Sequence, residues 1–228
     1  MMPTVYDDQY ARRYRHHDDA LGDSRPYREL VAWLQRAASR FAPGFDALDL
    51  GCGTGRYFWA IGPAGTLVGL DASPAMLAEA AAPLHSERVE AARVELVHGD
   101  VATHEFAPAS FDLVYSVGVL AEHVPLDSRV VRRVARWLRP GGRFAFTTVH
   151  PESPSIPTTA KRGIARRIAR LAPAWVERPL QARLLAGGLY ADEQYVRELL
   201  DGAFTIESLE RFESEAHLHL LVVARKVS

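Results

Sequence analysis

The chain of 228 residues carries 27 Lys and Arg against 28 Asp and Glu, a formal net charge of -1 and a calculated pI near 6.8. That length suits one α/β domain with room for an appended lid, and the balanced charge gives no global drive toward nucleic acid. Cys52 is the single cysteine, which excludes an internal disulfide framework and a zinc site built of several thiolates, and fits a reducing cytoplasm.

The N-terminal arm is polar and rich in Tyr, Arg and His, without the apolar run of a secretory signal. No stretch approaches the roughly 20 uninterrupted apolar residues that cross a bilayer, so a cytoplasmic, soluble protein is expected. In residues 27–41, Leu30, Val31, Leu34 and Ala38 recur at helical spacing, and Pro43-Gly44 stops the helix. A strand over 47–50 runs into a glycine-rich turn, and the apolar spacing over 57–61 predicts a helix directly behind it. A second strand over 66–70 ends at Asp71, after which Ser73-Pro74 reads as an N-cap with proline in the first turn. Strands over 94–97 and 111–116, a helix over about 127–138 closed by Pro140-Gly141-Gly142, and a strand over 143–149 continue the alternation. Strands separated by helices predict a mostly parallel sheet covered on both faces. The short link between strands over 205–212 and 218–224 predicts a hairpin, which makes one C-terminal strand antiparallel.

The central motif is Asp49-Leu50-Gly51-Cys52-Gly53-Thr54-Gly55, where the first strand ends. Its glycines let backbone approach a ligand, and the helix expected behind it would offer unpaired amide donors. A dinucleotide fingerprint needs glycines spaced G-x-G-x-x-G; here the third glycine comes one residue early and Arg56 takes its place. No Gly-Lys-Ser/Thr follows, which disfavours a nucleotide-hydrolase phosphate loop. An acid two positions before the first glycine would repel a pyrophosphate and suits a cationic ligand.

Residues 48–55 closely resemble motif I of the class I S-adenosylmethionine-dependent methyltransferases, and 69–77 resemble the second motif of that family. The resemblance implies S-adenosylmethionine as cofactor and S-adenosylhomocysteine as product. It assigns the methionine end to Asp49 and the Gly51-Cys52-Gly53 turn, and the ribose hydroxyls to Asp71. It assigns the adenine to Ala72, Met76, Asp100 and Val101, and the wall between cofactor and acceptor to Ser116 and Val117. The tyrosine-containing arm, with Tyr6, Tyr10 and Tyr14 every four residues on one helical face, is similar to the segment that folds over the cofactor in small-molecule members, which makes Tyr14 a contact.

Methyl transfer is a direct displacement, for which the protein chiefly aligns nucleophile and sulfonium in a water-poor pocket. Oxygen and protonated-amine acceptors also need a base, and histidine suits that near neutral pH. His123, in Glu122-His123-Val124-Pro125 after the fourth strand, and His150, at the end of the fifth, are the two candidates. The remaining histidines lack ligand-like spacing and no metal is expected; His16-His17 read as a solvated arm and His217/His219 as an alternating strand. Residues 161–183 carry Lys161, Arg162, Arg166, Arg167, Arg170, Arg178 and Arg183 against the single acid Glu177, with Ile164, Ile168 and Leu171 on one helical face. This basic amphipathic segment fits a cap over the acceptor, a membrane-surface helix or a solvated helix packed on the domain.

The expected fold is a seven-stranded, mostly parallel, doubly wound α/β sheet with an antiparallel C-terminal strand, an N-terminal helical lid and a helical cap inserted after strand five. The chain divides into a lid and helix (1–42), a cofactor-binding core (43–150), the cap (151–190) and a terminal helix and strand pair (191–228). The expected function is methyl transfer to oxygen or nitrogen of a small organic molecule, a specialised metabolite first and a prenylated quinone precursor or lipid second. Base-flipping chemistry is disfavoured because neither an Asn/Asp-Pro-Pro-aromatic string after the fourth strand nor a Pro-Cys is present. A non-catalytic S-adenosylmethionine-binding module is the remaining rival.

Overall fold

The structure, a computed structural model, describes residues 7–21, 24–154, 190–214 and 217–227. Seven strands, β1 (Ala47–Leu50), β2 (Thr66–Asp71), β3 (Arg93–His98), β4 (Phe111–Ser116), β5 (Leu138–Val149), β6 (Phe204–Glu213) and β7 (Leu218–Lys226), form one sheet in the order β3-β2-β1-β4-β5-β7-β6. β7 runs antiparallel to both its neighbours, and the other four pairings are parallel. The hairpin and the antiparallel terminal strand expected from the sequence are both present.

Alternation along the strands feeds two separate cores. Leu48, Leu50, Val114, Phe144 and Phe146 meet Val130, Val134 and Trp137 of α4 (Ser128–Trp137) and Val196 and Leu200 of α5 (Glu193–Leu200) on one face. Ala47, Leu113, Tyr115 and Ala145 meet Val31, Trp33 and Leu34 of α2 (Arg25–Ala38) on the other. Coverage on both faces explains why β1 is buried along its whole length and reads as an uninterrupted apolar run apart from Asp49. α1 (Asp8–Leu21) lies against the end of α3 (Pro74–Ala80), where Arg15 Nη1 donates to the Ala82 carbonyl at 2.8 Å. The strand order reverses between β1 and β4, which opens a crevice at the carboxyl ends of these strands.

Local sequence accounts for the boundaries. Ser73 Oγ accepts from the Met76 N–H and Pro74 opens α3, as the sequence implied. Asp127 Oδ1 accepts from the N–H groups of Arg129 and Val130 at the start of α4. The helix expected behind the glycine turn is a correction: residues Phe58–Ile61 form a single 3-10 turn, ended by Gly62 in the left-handed region (φ +73°) ahead of Pro63, which has no N–H to donate. The Pro140-Gly141-Gly142 stretch lies inside β5, where Leu138 pairs with Phe111 and Arg143 pairs with Leu113, so the extra residues bulge outward. The bulge lets Arg139 bond Asp112 at 2.5 Å and Asp46 at 2.8 Å, tying the starts of β1 and β4 to β5. The expected cap lies mostly at 155–189, outside the described residues, as do Tyr6 and the whole basic segment over 161–183.

Trp137 is 1 % exposed and stands edge-on to Phe106, with ring centroids 5.3 Å apart. Trp137→Ala is expected to cost about 3–5 kcal/mol of stability, and Asp127→Ala, which removes only the α4 cap, about 1 kcal/mol. Urea unfolding of both variants checks this; equal losses would contradict the packing described.

Candidate active site

The site begins with the turn that leaves β1. Gly51 and Cys52 both donate their N–H to the Leu70 carbonyl of β2, at 2.8 and 3.0 Å, so the chain doubles back over the sheet edge. Gly51 holds φ +76°, and a Cβ there would meet Val119 Cγ2 at 2.6 Å, so only glycine fits. Gly53 (φ +54°) has open space where a side chain would stand, which leaves a cradle for a ligand. Its N–H donates to Asp71 Oδ2 at 2.8 Å, and the Ser73 N–H donates to Asp71 Oδ1 at 2.9 Å. Asp71 is thus held by backbone at both oxygens, each of which retains lone-pair capacity for a hydroxyl donor.

Asp49 is 3 % exposed and pairs in register with Tyr115 on β4, so both side chains share one face of the sheet. Burial pushes the Asp49 carboxyl up to about 8; the Tyr115 phenol and Arg56 pull against that rise, and the Asp71 charge adds to it. The Tyr115 hydroxyl is buried and closes no hydrogen bond of ordinary geometry. A carboxyl and a phenol are therefore desolvated together on one face of the sheet. Cys52 is 7 % exposed, and burial, with Asp49 and Asp71 adding to it, pushes its thiol well up, which makes it a packing residue of the turn.

The adenine-side residues follow the ends of β2 and β3. Ala72 is exposed, Met76 is 4 % exposed, and Val101 is 5 % exposed, with its carbonyl accepting from Arg133 at 3.0 Å. Asp100 is exposed and accepts the Ala102 N–H at Oδ1, 2.6 Å, so its other oxygen is the one left for a ligand. Ser116 is fully buried and its hydroxyl donates to the Leu50 carbonyl at 2.8 Å, bolting β4 to the start of the turn. Val117 is half-buried beside Gly118, whose N–H donates to Thr147 Oγ1 at 2.9 Å.

α1 closes over the turn through Asp18, which the sequence reading did not single out. Asp18, 1 % exposed, accepts from Thr54 Oγ1 at 2.5 Å and from Arg56 Nη1 at 2.8 Å. The Arg56 guanidinium lies over the rings of Tyr14 (5.5 Å to the centroid) and Tyr57 (4.9 Å). Tyr10 and Tyr14 stack at 6.0 Å, as their four-residue spacing implied, and burial raises the Tyr14 phenol. The sequence signal for the latch was Arg56 itself, where a dinucleotide loop would carry glycine.

Of the two histidines expected as bases, His150 is placed otherwise. It is 3 % exposed, its Nδ1 accepts the Glu152 N–H at 3.1 Å and its Nε2 lies 3.2 Å from Glu193, so both ring nitrogens are committed to joining β5 to α5. Arg211 bonds the same Glu193 at 2.5 Å, and that bond, with burial opposing and the nearby His150 assisting, holds the carboxyl down at about 2. His123 is exposed on the loop after β4, where its N–H donates to the Val119 carbonyl at 2.9 Å.

Residues 47–142 match the family described as "Methyltransferase domain". An S-adenosylmethionine-dependent methyltransferase from Mesorhizobium loti superposes with a TM-score of 0.60 at 27 % identity, over 84 % of this chain and 95 % of that one. Over residues 47–142 the chain carries a methyltransferase domain of the class I fold. The chain is 35 % identical to a demethylmenaquinone methyltransferase of Lactococcus lactis over 54 % of its own length and 50 % of that protein. It is 38 % identical to a nocamycin O-methyltransferase of Saccharothrix syringae over 46 % of its length and 38 % of that protein. The chain thus spans half the length or less of these two curated relatives.

The methyltransferase domain fits the methyl donor its family implies. The Asp49–Tyr115 pair is buried with the Tyr115 hydroxyl unpartnered among the described residues, the space at Gly53 lies on the same turn, and Asp71 retains acceptor capacity at the end of β2. Asp71→Ala removes two backbone anchors as well as the acceptor. Calorimetric affinity for S-adenosylhomocysteine is expected to fall about ten- to hundredfold, the loss of charge-assisted hydrogen bonds worth about 1.5–3 kcal/mol, with the circular dichroism spectrum retained. Unaltered affinity would remove Asp71 from the site.

Proposed function

We propose that the domain transfers a methyl group from S-adenosylmethionine to oxygen or nitrogen of a small organic molecule, with a specialised metabolite as the first candidate. The observation that carries the reading is the buried Asp49 carboxyl, held near 8 by desolvation at the edge of a glycine cradle. Such a group is stabilised by a ligand that brings positive charge and excludes water. The donor supplies an electrophilic methyl carbon beside a good leaving group. In this reading Asp49 and Asp71 fix the donor at its two polar ends, Asp18 and Arg56 hold α1 down over the turn, and the loop of Val117 and Gly118 leaves room for the acceptor. Catalysis then rests on alignment and exclusion of water. The likeness to the nocamycin O-methyltransferase supports an oxygen acceptor on a specialised metabolite.

A second reading, a prenylated quinone precursor or lipid taken from a membrane surface, is supported by the likeness to the demethylmenaquinone methyltransferase and by the basic amphipathic sequence over 161–183. No described helix is long and apolar enough to cross a membrane. A cytoplasmic location accords with either acceptor.

Mass spectrometry after incubation with isotopically labelled S-adenosylmethionine and a panel of phenols, amines, carboxylic acids and prenylated quinone precursors tests the proposal. A labelled O- or N-methyl product is expected. A product methylated on carbon, or tight cofactor binding with no product on any acceptor, would overturn it.

A further inference from the structure

At the carboxyl edge of the sheet the structure sets a carboxylate against a histidine ring outside the glycine turn. The loop after β4 is tight: Ala121 donates its N–H to the Val124 carbonyl at 2.8 Å, and Val124 donates to the Val119 carbonyl at 3.1 Å. Ala121 itself sits at φ +64°, a left-handed conformation that costs an alanine free energy and recurs at functional sites. The strained loop exposes His123 and turns its neighbour Glu122 inward, where the side chain is 25 % exposed. Glu122 Oε1 stands 3.6 Å from Nε2 of His219.

His219 reaches this point from β7. It pairs in register with Val149, the last residue of β5, and alternation puts it on the same face as Leu221 and Val223, the face that also carries Tyr115 and Ala145. Asp49, in register with Tyr115, marks the donor end of that face. In the order β1-β4-β5-β7, His219 stands on the far side of β4 and β5 from Asp49, where an acceptor would lie. Phe212 lies parallel to the ring at 6.3 Å. Nδ1 of His219 and Oε1 of Glu122 are both buried and make no hydrogen bond among the described residues.

We propose that His219 is the general base for the methyl acceptor and that Glu122 is the residue that positions its ring. The proposal rests on the methyl-transfer reading above and narrows it to acceptors with a proton to lose, a hydroxyl or a protonated amine. Glu122 takes the Nε2–H, which fixes the tautomer and leaves Nδ1 as the basic nitrogen. A separation of 3.6 Å is longer than a hydrogen bond, and such contacts commonly tighten when substrate closes the site. In the transfer step the acceptor's lone pair forms the bond to the methyl carbon and the carbon–sulfur bond breaks, its electron pair passing to sulfur. A hydroxyl loses its proton to His219 Nδ1 as that bond forms, and a protonated amine loses its proton to Nδ1 beforehand, which frees the lone pair. The titratable groups facing the ring are Glu122 from the loop after β4 and His217 from the preceding turn, 5.4 Å away ring to ring; Tyr14 of α1 interacts with Glu122 from the lid side.

Two measurements on the full chain test this. First, nitrogen-15 spectra of labelled histidine are recorded for the wild type and for Glu122→Gln. The expected result is an Nε2-protonated His219 ring whose protonation shifts to lower pH when the carboxylate is removed; an unchanged ring would overturn the pair without any acceptor being needed. Second, kcat, KM and the pH profile are measured for His219→Gln, Glu122→Gln and His123→Ala with an acceptor from the labelled panel. His219→Gln is expected to lower kcat at least 100-fold and flatten the rise of rate with pH, with the Kd for S-adenosylhomocysteine unchanged. Glu122→Gln is expected to keep that rise and move it to lower pH. A wild-type rate and profile in His219→Gln, or the same loss confined to His123→Ala, would overturn the assignment while leaving the methyl-transfer reading intact. Failure of the wild type on every acceptor would sink that reading and the proposal together.

Discussion

The constraint on which the site depends is the burial of a single carboxyl group, Asp49, in the middle of the central strand. A charge placed there is expensive unless something pairs with it, and within the domain the group sits near 8, raised chiefly by desolvation. A carboxyl raised above its ordinary value favours the folded state at low pH, and that advantage is lost as pH rises from the unfolded value near 3.8 through about 8. Burial therefore disfavours the ionised form of Asp49. A cationic ligand removes the penalty, so binding free energy and the strain of an isolated charge are linked.

Much else follows from holding that carboxyl in place. Gly51 allows the chain to double back beneath Val119, and the Leu70 carbonyl takes the amides of Gly51 and Cys52, so the turn cannot drift from β2. Asp71 then fastens Gly53 and Ser73, and Ser116 fastens β4 to Leu50. From outside, α1 reaches the same turn through Asp18, which gathers Thr54 and Arg56 into one buried network. Because Arg56 also lies over Tyr14 and Tyr57, the lid and the turn share one cation.

Strand positions were the most legible part of the chain. A central parallel strand buried on both faces has to be a short apolar run, and the runs at Ala47–Leu50 and Phe111–Ser116 stand where their composition put them. Motif residues on the ends of β1, β2 and β3 were legible for the same reason, since spacing along adjacent strands fixes where their turns meet. What failed was the inference from a short apolar cluster to a helix: Phe58, Ala60 and Ile61 are buried by a single 3-10 turn because Gly62 and Pro63 end it at once. His150 failed differently. Its position at the end of β5 was right, and only the three-dimensional arrangement of Glu152 and Glu193 shows that its nitrogens are spent. Asp18 and His219 gave no local signal, because each acquires its partner across a separation in sequence that periodicity does not encode.

Asp49 is held protonated until the ammonium group of a bound ligand ionises it. Calorimetric titration with S-adenosylhomocysteine at about pH 6.5, below the value of about 8, in two buffers of different ionisation enthalpy measures the proton released on binding. Release approaching one proton per molecule bound is expected, absent in Asp49→Asn, which should also bind about ten- to hundredfold more weakly. A wild type that releases no proton, or a variant that releases as much, would contradict it.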